Sequence, residues 1–160
     1  MNNSLLVRDC QKARPVNTQL LRKITLALMR QLHQTDGFEL GIYILDPAEM
    51  SRLNETFLRH QGSTDVLSFD YNHPAQEQAL RGEVFVCLDV AVRQAARFRT
   101  TWQSELVRYV IHGVLHLKGY DDHHPSRRQK MKLQENRLHK QMARKFRFSG
   151  LAKGASWNAA

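Results

Sequence analysis

The sequence predicts a single α+β domain, a small mixed β-sheet packed by helices. Two observations predict it. Stretches with apolar residues at helical spacing are interspersed with short segments of period-two alternation. Some of the connections between those segments are only of hairpin length, which suits a mixed sheet better than a doubly wound one. A chain of 160 residues with 42% hydrophobic content is also long enough to bury one core and short enough to need only one.

Taken in order, Leu5, Leu6 and Val7 form a short first strand. Pro15 and Asn17 then introduce an amphipathic helix, in which Leu20, Leu21, Ile24, Leu28 and Leu32 share a face and which ends near Gly37. Phe38, Leu40, Ile42 and Ile44 alternate as a strand does, and Asp46-Pro47-Ala48-Glu49 reads as a capped helix start with Pro at its first position. Met50, Leu53 and Phe57 supply the buried stripe of that helix. A strand over Val66 to Phe69, a polar loop from Asn72 to Gly82 and a strand over Val84 to Leu88 follow. Apolar residues on both faces of the last strand mark it as central.

Asp89 is placed to cap a helix through Phe98. Another helix runs from Thr101 to Lys118 on a stripe of Leu106, Val110, Val114 and Leu117, and Gly119 stops it. His124-Pro125-Ser126 restarts the chain as a long helix with Met131, Leu138 and Met142 inward. Residues 1–148 are thus expected to form the domain and 149–160 a flexible C-terminal tail.

The formal net charge of +9 is concentrated at one end. Beyond Pro125 stand ten Lys and Arg, among them Arg127, Arg128, Lys130 and Lys132, with Glu135 as the single anion. The remainder of the chain is balanced, so the basicity is a local patch suited to a polyanion. The absence of a leader or of a long apolar run leads us to expect a cytoplasmic protein with no membrane partner. Cys10 and Cys87 lack the spacing of a zinc knuckle or redox pair and are expected to be reduced core residues.

Chemistry concentrates between Ile111 and His124, where four of the eight histidines fall. His112 and His116 stand one helical turn apart, so both imidazoles can face one ion. A catalytic tetrahedral site needs a third protein ligand and an open position. A glycine in the left-handed conformation at position 119 can reverse the chain and return Asp122 or His123 to the pair. Glu105 and Tyr109 lie two turns and one turn before His112, from where either could orient a ligand, and the plainer reading is that they are surface or packing residues. Thr64, Asp65 and Ser68 read as groups that close turns or satisfy backbone atoms.

The string HGVLHLKGYDD resembles the HGxLHLxGYDH signature of the YbeY-type endoribonucleases, and Thr64-Asp65-Val66-Leu67-Ser68-Phe69 is similar to that family's TDVLSF strand. Leu53-Asn54 and Gly82-Glu83-Val84 also fall where the family's helix and next strand belong, so the resemblance covers the chain from about Leu40 through the basic helix. The family's third histidine falls at position 122, where this chain has Asp122 with His123 beside it. Asp122 is taken as the third ligand and His123 as the alternative, since carboxylates ligate zinc well. The family arginine falls near Leu58 and Arg59, which makes Arg59 the candidate catalytic cation.

The resemblance implies one Zn²⁺, RNA as substrate, and a role in 16S rRNA 3′-end maturation and ribosome quality control beside ribosomal partners. Zinc would activate water, and a cation such as Arg59 would offset charge on the reacting phosphate. Gly113 stands where HExxH proteases carry their glutamate base, which disfavours peptide chemistry. The rival readings are a non-catalytic RNA- or ribosome-binding module with a structural metal and, more remotely, a degenerate zinc protease.

Overall fold

A computed structural model describes residues 3–34, 36–58, 64–72 and 79–154. Strand β1 (Ser4–Asp9), helix α1 (Thr18–Gln31), strand β2 (Phe38–Leu45) and helix α2 (Pro47–Leu53) lead into a π-helical turn over Asn54–Leu58. Strands β3 (Val66–Asp70) and β4 (Leu80–Cys87) precede helices α3 (Leu88–Phe98), α4 (Trp102–Leu117) and α5 (Pro125–Lys145), and a 3₁₀ turn covers Phe148–Leu151. The four strands form one mixed sheet in the order β1-β2-β4-β3, with β3 antiparallel to β4 and the other pairs parallel. The expected α+β fold is therefore present, and β4 is interior as its two apolar faces required.

Strand alternation divides the apolar residues between two layers. Leu40, Ile42 and Ile44 of β2 and Val84 and Val86 of β4 join the main core with α1, α4 and α5. Tyr43 and Leu45, with Phe85 and Cys87, face the opposite side, where Met50 of α2 and Leu67 complete a smaller cluster. Helix α4 packs directly on β3 and β4, and α5 lies against α4. The site-bearing helix is thus clamped between the sheet and the basic helix.

Several local expectations are corrected. Helix α1 stops at Gln31 rather than near Gly37, because His33 takes the left-handed conformation (φ 53°) and closes the helix end through bonds from its own N–H to Arg30 O and from Gln34 N–H to Met29 O. Phe57 is exposed, stacking edge-on against Phe69, because the helix changes to a π turn at Asn54 and shifts the register of its apolar face. Asp89 is not the cap of α3: Cys87 occupies that position, and Asp89 lies inside the first turn, paired with Arg93 at 3.1 Å. Strand β4 begins at Leu80, inside the stretch expected to be loop. Cys10 is exposed, whereas Cys87 is buried.

The segment from Ser149 begins packed rather than frayed. Leu151 has no exposed surface and joins the main core, its carbonyl accepts from Asn17 N–H at 2.9 Å, and Ala152 bridges to Val16. Leu151 stands between Ser149-Gly150 and Ala152-Lys153, a stretch with no helical or strand period, so the sequence pattern carries no sign of this docking.

Candidate metal centre

Helix α4 presents His112 and His116 because it is well started and sharply stopped. Thr101 caps its N-terminus by accepting from Ser104 N–H at 3.1 Å. At the other end Gly119 has φ +98°, its N–H donates to His116 O, and Tyr120 N–H donates to Leu115 O, both at 3.0 Å. This pair of bonds reverses the chain after the helix and brings residue 122 back beside the histidine pair.

The three atoms that converge are His112 Nε2, His116 Nε2 and Asp122 Oδ2. The two nitrogens are 3.1 Å apart, and the carboxylate oxygen lies 3.7 Å from the first and 3.5 Å from the second. A tetrahedral ion with bonds of about 2.0–2.1 Å needs ligand atoms about 3.3–3.4 Å apart, so the triangle matches one face of such a site. His112, His116 and Asp122 therefore form a group able to hold a metal ion. His123, by contrast, has a side chain 87% exposed and turned to Asp121, 3.9 Å away.

Hydrogen bonds on the far side of each ring assign the tautomers. His112 Nδ1 lies 2.9 Å from Glu135 Oε2, and His116 Nδ1 lies 3.1 Å from the carbonyl oxygen of Tyr120. Both Nδ1 atoms are donors, which leaves both Nε2 lone pairs facing Asp122. Two imidazole lone pairs and a carboxylate oxygen gathered this closely repel one another unless a proton shared between the two nitrogens or a metal ion lies between them.

Electrostatics follow from burial and from these partners. Burial would raise the Glu135 carboxyl, but the hydrogen bond from His112, the charges of Lys132 and His112 and a hydrogen bond from Arg108 draw it down to about 2. Burial lowers the His112 imidazole, and the bond and charge of Glu135, helped by Asp65 and Asp122, overcome this and raise it. Glu105 is raised chiefly by burial.

His112 and Asp122 open onto a cleft of about 420 Å³ whose walls carry the acids Asp65, Glu105 and Glu135 as well as Arg108, Arg128 and Lys132. Of the four basic residues expected to meet a polyanion, Arg128 and Lys132 stand on this cleft. Arg128 Nε donates to Asp122 O at 3.1 Å, and Lys132 Nζ approaches Glu135 Oε1 at 3.4 Å. Arg127 and Lys130 line a neighbouring hollow beyond the Gly119 turn, where Arg127 pairs with Asp121 at 3.3 Å. Arg59 lies outside the described residues. Ser68 Oγ donates to Gly113 O at 3.1 Å and Asp65 accepts from Val66 N–H at 2.8 Å, as expected of groups that satisfy backbone atoms.

Glu135 is the residue that sequence reasoning missed. It stands out in the sequence as the single acid of the basic segment, and its spacing from Met131 and Leu138 puts it on the buried face of α5. An acid at a core-facing position of a helix is a signal that it has a partner.

Comparison with known proteins gives the family. The curated "Endoribonuclease YbeY" of Chlorobium luteolum is 42% identical over 93 residues, 58% of this chain and 66% of that protein. That of Salinibacter ruber is 39% identical over 103 residues, 61% of this chain and again 66% of that protein, so these matches span just under two thirds of the relatives' length. The Bifidobacterium animalis subsp. lactis protein of the same name is 32% identical over 151 residues, 90% of this chain and 80% of its own. The solution structure of TM1509 from Thermotoga maritima shares the fold, with a TM-score of 0.62 over 89% of each chain at 24% identity. A family model described as Endoribonuclease YbeY matches residues 7–143, and the chain belongs to that family.

Proposed function

We propose that the chain is a metal-dependent endoribonuclease that binds Zn²⁺ through His112, His116 and Asp122 and cleaves single-stranded ribosomal RNA. In the cell it would act in the cytoplasm, in 16S rRNA 3′-end maturation and ribosome quality control, alongside the ribosome or its proteins. Family membership supports the reaction class, and one structural observation carries it to this site: the three candidate ligand atoms converge at the edge of an open cleft, lined by His112 and Asp122, on which Arg108, Arg128 and Lys132 also stand. Their side chains are 30%, 29% and 37% exposed, whereas a purely structural zinc site is closed by its own ligands.

The ion would supply Lewis acidity, activating water near neutral pH and offsetting charge on a phosphodiester. The chain's own residues do the rest. Glu135 and the Tyr120 carbonyl hold the two imidazoles, and Arg128 and Lys132 stand where phosphates enter the cleft. Arg127 and Lys130 extend the positive surface past the Gly119 turn, so a bound strand would be tracked along the start of α5. Arg59 is proposed to stabilise charge on the reacting phosphate. The anionic Asp122 lowers the net charge of the ligand set, which weakens the Lewis acidity of the ion relative to an all-histidine site.

Metal analysis and RNA cleavage on the same samples test this reading. Wild type is expected to carry stoichiometric metal and to cut single-stranded RNA, and His116→Ala to lose both. Cleavage by metal-free wild type, or undiminished cleavage by His116→Ala, would overturn it.

A further inference from the structure

The two candidate imidazoles are aimed by supports of different kinds. His116 Nδ1 meets the carbonyl oxygen of Tyr120, part of the turn that ends its own helix. His112 Nδ1 meets a side chain from a different helix, Glu135 of α5, at 2.9 Å. The Glu135 side chain is only 5% exposed, so it is an anion removed from water that must be satisfied by protein groups.

Its two oxygens are divided between two tasks. Oε1 takes both cations, Arg108 Nη1 at 3.2 Å and Lys132 Nζ at 3.4 Å. Oε2 faces His112. An ion pair serving only to fasten α5 would be served by the cations alone. The second oxygen instead meets the one ring nitrogen whose protonation decides where the other nitrogen's lone pair points. An ionised carboxylate is acceptor-only, so the neutral ring keeps its proton on Nδ1 and presents Nε2 toward His116 and Asp122.

We propose that Glu135 is a positioning residue of the metal centre, fixing the tautomer and ring orientation of His112 from α5. The inference rests on the reading of His112, His116 and Asp122 as metal ligands. Its consequence is that this corner is complete only when α5 is docked, so the helix carrying the basic surface also aims a ligand. Loss of such an outer partner costs roughly 10–100-fold in metal affinity.

The test compares wild type, Glu135→Leu, Glu135→Gln and Arg108→Met. Metal-free protein is examined by ¹⁵N NMR of the histidine side chains at a pH well above the histidine range, and Zn²⁺ affinity is measured by competition with a chromophoric chelator. Glu135→Leu is expected to let His112 populate both tautomers while His116 keeps its own, and to weaken Zn²⁺ binding about 10–100-fold. Glu135→Gln retains an acceptor oxygen and should recover most of the His112 tautomer. It also serves as the informative variant if Glu135→Leu fails to fold.

Arg108→Met removes a cation from Oε1 and leaves the Oε2 contact, so His112 and Zn²⁺ affinity should stay close to wild type. If Arg108→Met lowers affinity as far as Glu135→Leu does, or if His112 keeps its tautomer in both Glu135 variants, Glu135 only fastens α5 and the inference is overturned. If wild type takes up no Zn²⁺, the metal reading falls by itself, while the NMR of metal-free protein still decides what Glu135 does to His112.

Discussion

Gly113 and Val84 leave no room between them: a Cβ on Gly113 would lie 2.4 Å from Val84 Cγ1. The residue after the first histidine therefore faces the sheet, and a glycine there lets α4 come down onto β4. Gly113→Ala is expected to cost about 1–3 kcal/mol through overpacking, read from the denaturant midpoint. Gly113→Glu, which restores the protease-like string, should destabilise the fold further and give no peptidase activity. Peptide cleavage by a folded Gly113→Glu protein would contradict this packing.

Asp122 and His123 are adjacent, yet they should respond oppositely to truncation. Asp122→Ala removes one corner of the ligand triangle and is expected to weaken Zn²⁺ binding by more than the roughly 10–100-fold lost with an outer-shell partner. His123→Ala removes an exposed ring that stands outside the His112, His116 and Asp122 group and should leave affinity unchanged. Chelator competition on the two variants distinguishes them directly.

Binding of single-stranded RNA should weaken steeply with salt. Lys130→Ala is expected to reduce the slope of log affinity against log salt by about 0.7, the share of one phosphate contact on a single strand. Its metal content should not change, because Lys130 lies in the hollow beyond the Gly119 turn and not on the metal cleft. An unchanged slope would remove Lys130 from the path of the RNA.

His139 gives the fold a pH dependence away from the ligand triangle. Burial first, and then the positive charge of Arg108, lower its imidazole below the ordinary value of 6.5, against the opposing influence of the Ser104 backbone bond and Glu135, while Lys132 lowers it further. The unfolded chain thus takes up this proton before the folded one. The stability contributed by neutral His139 is complete above pH 6.5 and is lost as pH falls from there through the folded value. His139→Gln should accordingly lose less stability than wild type between neutral and mildly acidic pH, as read from paired thermal melts.

Leu151→Ala is expected to destabilise the domain by about 2–5 kcal/mol, the usual range for a fully buried leucine. A truncation after Phe148 should do at least as much harm. Equal melting temperatures for the truncated and full-length proteins would show that the 3₁₀ turn contributes nothing.

Legibility in the sequence followed physical range. The stripes of α4 and α5, the Pro47 start of α2 and the Gly119 stop are encoded by neighbours three or four residues apart, and all were readable. The same locality made His112, His116 and Asp122 legible. What escaped was decided elsewhere. His33 ends α1 in a conformation that favours glycine, Leu151 docks across the start of α1, and Glu135 reaches His112 from another helix. The last two contacts join residues far apart in the chain, and the first is a local turn that carries no glycine to mark it, so periodicity is blind to all three.

The positions of the ligand candidates and of the strand partners have a kinetic meaning. His112, His116 and Asp122 come from one short stretch closed by the Gly119 turn, whereas the sheet joins Ser4 to Glu39 and Leu40 to Gly82. Closing a short turn costs little chain entropy, while parallel pairing across long separations is the slow part of assembly. Folding speed is thus set mainly by the β1-β2-β4 ladder, whereas the candidate ligands need only the end of α4, its turn and the docked α5.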